Sequence, residues 1–237
     1  LLVEVNTSLQ YTGQNIDQSR SAEVDNIETW ARTNNLTLNR KKSNEIVFVD
    51  RKRKRQVVSP PLLPGIVRAT SLKILGVTMT NGLTASDHVR GIISSCAQTL
   101  YALRVLRAHG MCDSALQDIY RSIVVAKLLY ASSAWSGFIT ATDRQRVDAF
   151  LDRSKRCGYC PPDLPPFEEL LSKSDQQLFD KILTNDQHLL YKLLPSPSFA
   201  SQNYNIRDRA HNKELPHHTG HLTDSNFITR MLFTDIY

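Results

Sequence analysis

The chain has 237 residues, with 29 Lys and Arg against 23 Asp and Glu, a formal net charge of +6, and 41% hydrophobic residues. This composition belongs to a folding chain rather than a disordered one, and the length suits one large or two smaller domains. No apolar run approaches the roughly 20 residues of a membrane-spanning helix, the first residues lack the basic start of a signal peptide, and four cysteines are too few for a disulfide scaffold. A reducing, intracellular setting without a membrane is the default expectation. The chain opens on Leu1 instead of methionine, so an upstream portion is expected.

Residues 1–6 read as the end of a strand. Over residues 17–34, Ala22, Val24, Ile27, Trp30 and Ala31 fall mostly at three- and four-residue steps and predict an amphipathic helix, which Asn34 and Asn35 can end. Ile46, Val47, Phe48 and Val49 form a β-branched run that predicts a short buried strand. After the breakers Pro60, Pro61, Pro64 and Gly65, residues 66–69 and 72–79 read as two strands joined by a tight turn, with Asn81 and Gly82 closing the β-rich part.

Helical spacing then takes over. Val89, Ile92, Ile93, Cys96, Leu100, Leu103 and Leu106 predict a helix over 88–109. Asp113 is placed to cap a second helix with the inward face Leu116, Ile119, Tyr120, Ile123, Val124, Leu128 and the stem of Lys127. Val147, Phe150 and Leu151 predict a third over 142–157, stopped by Pro161, Pro162, Pro165 and Pro166. A fourth is expected over 167–194, before a loop-rich tail. The fold class is therefore α+β and mostly helical: strand, helix, strand and hairpin first, helices after. The expected domains are 1–82, 83–160 and 161–237.

Charge is uneven along this order. Residues 51–111 hold 10 basic side chains and a single acid, Asp87, so this stretch alone carries more than the whole excess. It begins with the pentad Arg51, Lys52, Arg53, Lys54 and Arg55. Such a run needs water or a polyanion around it, and it reads as a solvated loop tip, a phosphate-contacting loop or a nuclear localisation patch.

Three blocks resemble one family. Residues 29–50, with Trp30, Asn35, Leu36, Leu38, Asn39, Lys42, Ser43, Ile46 and Phe48, resemble the segment after the catalytic aspartate box in reverse transcriptases of non-LTR retrotransposons, the jockey-like and chicken-repeat-like group above all. Residues 71–89 resemble that family's hairpin block through Lys73, Leu75, Gly76, Val77, Met79, Leu83 and His88. Residues 204–237, with Tyr204, Arg207, His211, Phe227, Arg230 and Leu232, resemble its C-terminal segment. The blocks stand in the family's order and cover nearly the whole chain.

The resemblance implies the C-terminal remnant of a polymerase palm followed by an all-α thumb bundle. Its partners would be an RNA template and a DNA primer, and the setting would be the nucleus. Lys42 would stand beside the incoming nucleotide as general acid for the leaving pyrophosphate, or be a plain surface lysine. Lys73, Leu75 and Gly76 would form the primer grip, where glycine lets the backbone approach a phosphate. Arg90, Arg104 and Arg107 would give the first thumb helix a basic face toward the duplex, and His88 would brace that helix. The family's chemistry uses two Mg²⁺ ions held by carboxylates, one set in an F/Y-A-D-D turn. This chain has no such turn and no adjacent Asp pair, so it is expected to start just after the active site and to be inactive alone. No cofactor is expected in it, and Mg²⁺ only in a full-length parent. The alternatives are a non-catalytic nucleic-acid-binding or interaction module derived from a retroelement, and a degenerate copy without function.

Other motifs carry less. Cys157 and Cys160 form a CxxC, and His217, His218 and His221 follow nearly sixty residues on, too far apart to force a zinc site. The element order around the CxxC is the reverse of a thioredoxin-like redox site, and neither a nucleophile elbow nor a Gly-rich phosphate loop is present.

Overall fold

The structure is a computed structural model of the chain. It describes residues 16–49, 59–198, 211–217 and 220–234. The expected strand at 1–6 and the basic pentad Arg51 to Arg55 lie outside the described residues. The chain divides into two compact units, 1–72 and 73–237. Among the described residues it is mostly helical with two small two-stranded sheets, and no helix is long and apolar enough to cross a membrane.

In unit 1, helix α1 (Ile16–Thr33) ends as its sequence predicts. Asn35 takes a left-handed φ of 55°, the Leu36 N–H bonds to the Ala31 carbonyl at 2.8 Å and the Asn35 N–H to that of Arg32 at 3.1 Å. This is a Schellman closure, with asparagine in the position usually taken by glycine. A 3-10 turn (Arg40–Lys42) follows, its Lys42 N–H bonded to the Asn39 side chain. Strand β1 (Asn44–Glu45) then pairs in parallel with β2 (Val67–Arg68). The β-branched run 46–49 is not a strand, and Phe48 is exposed. The last bond of the ladder runs from Ala69 N–H to the Glu45 carbonyl, and beyond it the chain turns away into the next hairpin, leaving residues 46–49 no described edge to pair with.

The hairpin β3 (Ser71–Ile74) and β4 (Val77–Thr80) contains the boundary between the units. Residues 72–79 are thus two strands, because Leu75 and Gly76 both take positive φ, 47° and 90°, and reverse the chain in two residues. Positive φ at both central positions marks a type I′ turn, whose twist suits a hairpin.

Unit 2 is built around α2 (Ser86–Ala108), which buries Val89, Ile92, Cys96 and Leu103. Helix α3 (Asp113–Ile119) passes through a π turn (Tyr120–Val125) into α4 (Ala126–Leu129), and buries Leu116, Tyr120, Val124 and Leu128. Strict four-residue steps drift around an α-helix, and the wider π turn takes up the drift. Ile123, expected in the core, is consequently turned outward and is 42% exposed. Asp113 is not the cap. It is the first helical residue, and Cys112 precedes it in extended conformation.

Short α5 (Ser132–Trp135) places Trp135 at the centre of the core, with its indole N–H on the Tyr130 carbonyl at 3.0 Å and its ring stacked on Phe167. Helix α6 (Ala141–Arg156) starts with a capping box between Thr140 and Asp143. The same Asp143 carboxylate accepts the Ser86 hydroxyl at 2.6 Å, tying the first turns of α2 and α6 together. Burial works to raise the Asp143 pKa, but the bonds from Ser86 and Thr140 outweigh it and hold the carboxyl below its usual range. At the far end the Arg107 guanidinium donates to the carbonyls of Cys157 and Gly158, so the two helices run side by side in one direction.

Helix α7 (Phe167–Thr184) stops ten residues before the expected end, where the Asn185 side chain accepts from the Gln187 N–H and bends the chain away. The tail returns as α8 (His221–Asp224) and α9 (Phe227–Leu232). Met231 and Leu232 pack on Phe179, and Arg230 bonds the buried Asp175 at 2.9 Å and the Ser136 hydroxyl at 3.1 Å. Gly137 must lack a side chain, because a Cβ there would run into the Ser225 carbonyl.

Candidate functional site

Within unit 2 the hairpin, the first turns of α2 and the π-turn helix enclose an open cleft of about 570 Å³. The hairpin contributes Lys73, Gly76 and Thr78; α2 contributes Asp87, His88, Gly91 and Ile92; the opposite wall holds Ser122, Ile123, Ala126, Lys127 and Tyr130. The π turn brings Ser122 and Ile123 to this wall, and such turns recur at functional sites.

The tip of the hairpin is held from below. Tyr130 donates its hydroxyl to the Leu75 carbonyl at 3.0 Å, and its ring lies 3.2 Å from where a Gly76 Cβ would stand. A non-glycine residue at positive φ is strained by about 1–2 kcal/mol, and this bond helps to hold Leu75 there. The Leu75 side chain is 75% exposed and contributes little packing in return.

His88 is buried beneath the cleft. Its Nδ1 accepts the Thr78 N–H at 3.4 Å and its ring meets Trp135 edge-on at 5.1 Å, while Nε2 is buried with no hydrogen-bond partner among the described residues. Accepting at Nδ1 makes Nε2 the protonated nitrogen of the neutral ring. Burial, and then the nearby Lys73 charge, hold the imidazole below its ordinary pKa. His88, in the first turn of α2, thereby links the hairpin to Trp135 of the core.

The cations of the cleft differ. Lys127 spends one of its three donors on the Ser95 hydroxyl at 2.8 Å, and the other two make no hydrogen bond among the described residues. Lys73 is exposed on β3, with no hydrogen bond or ion pair among the described residues. Asp87, the one carboxylate, is paired with Arg90 at 3.2 Å.

The other sequence-predicted residues are spread out. Arg90 lines a second groove, of about 390 Å³, with Ile93, Arg146, Ala149, Phe150 and Arg153. Residues 90 and 93 are each two positions from 88 and 91, or about 200° around the helix, so this groove lies on the flank of α2 opposite the cleft. Arg104 is exposed and makes no ion pair among the described residues. Arg107 is engaged by the two carbonyls at the end of α6, by Asp113 at 3.0 Å, and by the Tyr159 ring 4.1 Å from its guanidinium, while its buried Nε has no hydrogen-bond partner among the described residues. Lys42 is an exposed residue of the 3-10 turn in unit 1.

Sequence reasoning placed Lys73, Leu75 and Gly76 together but missed Gly91, Ser122 and Tyr130 as their neighbours. Lys127 it assigned only to packing. The available signal was the four-residue repeat 116, 120, 124, 128, which differs from the mixed three- and four-residue steps of an ordinary helix.

Among the described residues no group of three or more His, Cys, Asp or Glu side chains gathers in a way that could hold a metal. Cys160 is buried in the core cluster and Cys157 is exposed at the end of α6. His218 and the side chain of His221 lie outside the described residues. The chain matches no family model, no curated protein and no solved structure.

Proposed function

We propose that this chain is the nucleic-acid-gripping part of a reverse transcriptase of the non-LTR retrotransposon type, with residues 1–82 as palm remnant, 83–160 as helical thumb and 161–237 as a C-terminal extension. In this reading it holds an RNA template and DNA primer as a hybrid duplex, and RNA-directed DNA synthesis belongs to a longer parent. The observation that carries it is the hairpin. The block Lys73, Leu75, Gly76 that resembles the primer grip is a two-residue reversal fastened by Tyr130, and it borders a cleft with two lysines. A bare glycine at a reversal and flanking ammonium groups suit a phosphate backbone. The exposed Arg90, Arg104, Arg146 and Arg153 add the sequence-independent charge that duplex binding needs. Nucleotide addition is left to that parent, because the sequence holds no F/Y-A-D-D turn of the kind the resemblance assigns to the two ions.

Fluorescence anisotropy with a labelled RNA/DNA hybrid tests the reading. Affinity should fall steeply with salt, with a logarithmic slope of about −0.7 to −0.9 per phosphate neutralised. Lys73→Ala with Lys127→Ala should make the slope shallower by one to two such steps, and neutralising Arg51 to Arg55 should lower it further. Binding indifferent to salt and to these lysines would refute it.

A further inference from the structure

Gly91 stands inside α2 and lines the cleft, yet among the described residues a Cβ on it would meet no atom within 4 Å beyond its own helix backbone and chain neighbours. Its φ is not in the left-handed region. Neither internal packing nor backbone geometry therefore asks for glycine, which after proline is the least favourable residue in a helix interior. Beside it Lys73 has no hydrogen-bond or ion-pair partner, and Lys127 uses one of its three donors, among the described residues. The cleft thus has donors in excess, its one carboxylate being paired with Arg90. The far wall offers the opposite chemistry, with Ile123 and Tyr130 both substantially exposed.

An occupant that satisfies both sides has an anionic group and a flat apolar body. We propose that the cleft seats a nucleoside phosphate, its phosphate toward Lys73 and Lys127, its base along Ile123 and Tyr130, and that Gly91 carries no side chain so that the ligand can approach the helix. The inference rests on the nucleic-acid reading if the unit is the terminal nucleotide of a bound strand. A free nucleotide would present the same chemistry.

The test uses the full chain, Gly91→Ala and Gly91→Leu. Each is assayed for melting temperature, for anisotropy with a recessed-end RNA/DNA hybrid, and for binding of deoxyadenosine monophosphate by calorimetry. The expected signature has opposite signs: Gly91→Ala melts higher than the parent chain because alanine favours the helix, yet binds more weakly, and Gly91→Leu weakens binding by about tenfold or more. Gly91→Ala alone decides the matter if the leucine variant fails to fold. A higher melting temperature with unchanged binding of both ligands overturns the inference and leaves the nucleic-acid reading standing. A parent chain that ignores the hybrid but binds the mononucleotide in a Gly91-dependent way overturns that reading and supports the inference as a free-nucleotide site. Binding of neither ligand overturns both.

Discussion

In unit 1 the side chains that join α1 to the β1 and β2 pair are charged, whereas in unit 2 the helices meet through aliphatic and aromatic groups. Glu45 takes an ion pair from Arg20 and a two-pronged contact from Arg68 at 2.8 and 2.9 Å. The same guanidiniums also cap the carbonyls of Pro60 and Pro61, and Arg40 joins Glu28 to the Pro64 carbonyl. Ala31 is the only fully buried residue among the described ones of unit 1, while Trp30 stands half exposed. Unit 2 buries Leu103, Leu116, Tyr120, Leu128, Trp135, Phe150 and Phe167 in one continuous cluster. Charged clasps are directional and screened by salt, and apolar cores are neither. One chain thus contains two regions that should answer differently to the same perturbation.

Four measurements would break or sharpen that contrast. Trp135→Ala empties the centre of unit 2 and should cost about 3–5 kcal/mol in urea unfolding followed by circular dichroism; a loss below 1 kcal/mol would mean that the core relaxes around the gap. Arg230→Met leaves Asp175 buried with half its partners gone. It should cost about 2–3 kcal/mol and show as faster hydrogen exchange confined to α8, α9 and the facing part of α7. Exchange rising evenly through unit 2 would contradict this local role.

Glu45→Gln should cost about 1–2 kcal/mol, discounted for a side chain 14% exposed at the clasp. Its effect should appear in exchange at residues 44–45 and 67–68 and shrink in high salt, with unit 2 unchanged. A deficit that salt leaves intact would show that unit 1 depends on packing instead.

The smallest expected effect is on pH. His88 has a folded pKa below its unfolded value, so the unfolded chain binds more protons between the two, and stability rises with pH through that window. Acidification from pH 7 should destabilise unit 2 as it passes below the unfolded imidazole value, and His88→Gln should flatten that limb. Identical acid profiles for the two proteins would place the sensitivity elsewhere. The depressed carboxyl of Asp143 keeps its stabilising contribution above its unfolded value and loses it only as pH falls through the lower folded one, so the two limbs separate on titration.

Much of the helical content was legible in the residues. The closure of α1 could be seen at Asn34 and Asn35 because a left-handed asparagine is a local property, and the helices α2 and α6 followed from their apolar spacing. The run 46–49 misled, since three β-branched residues and a phenylalanine carry strand propensity but a strand also needs an edge. Ile123 misled for a related reason: its direction depends on a π turn, and nothing in the local residues forces one.

The candidate site was legible only in part. Lys73, Leu75 and Gly76 are neighbours in sequence and could be read together. His88, Gly91, Lys127 and Tyr130 meet them only after the hairpin, α2 and the π-turn helix have packed, across more than fifty residues between Leu75 and Tyr130. By itself the sequence determined neither the early end of α7 nor the short helices α5, α8 and α9, but it did determine the main helices α1, α2 and α6, where α1 closes, and that the positive charge is concentrated over 51–111. These properties arise from neighbours a few residues apart or from composition. Only the tertiary structure decided which cations share a cleft, which are engaged internally as Arg107 is, and which glycine is left bare. Those outcomes depend on contacts between distant segments, whose partners no local pattern names.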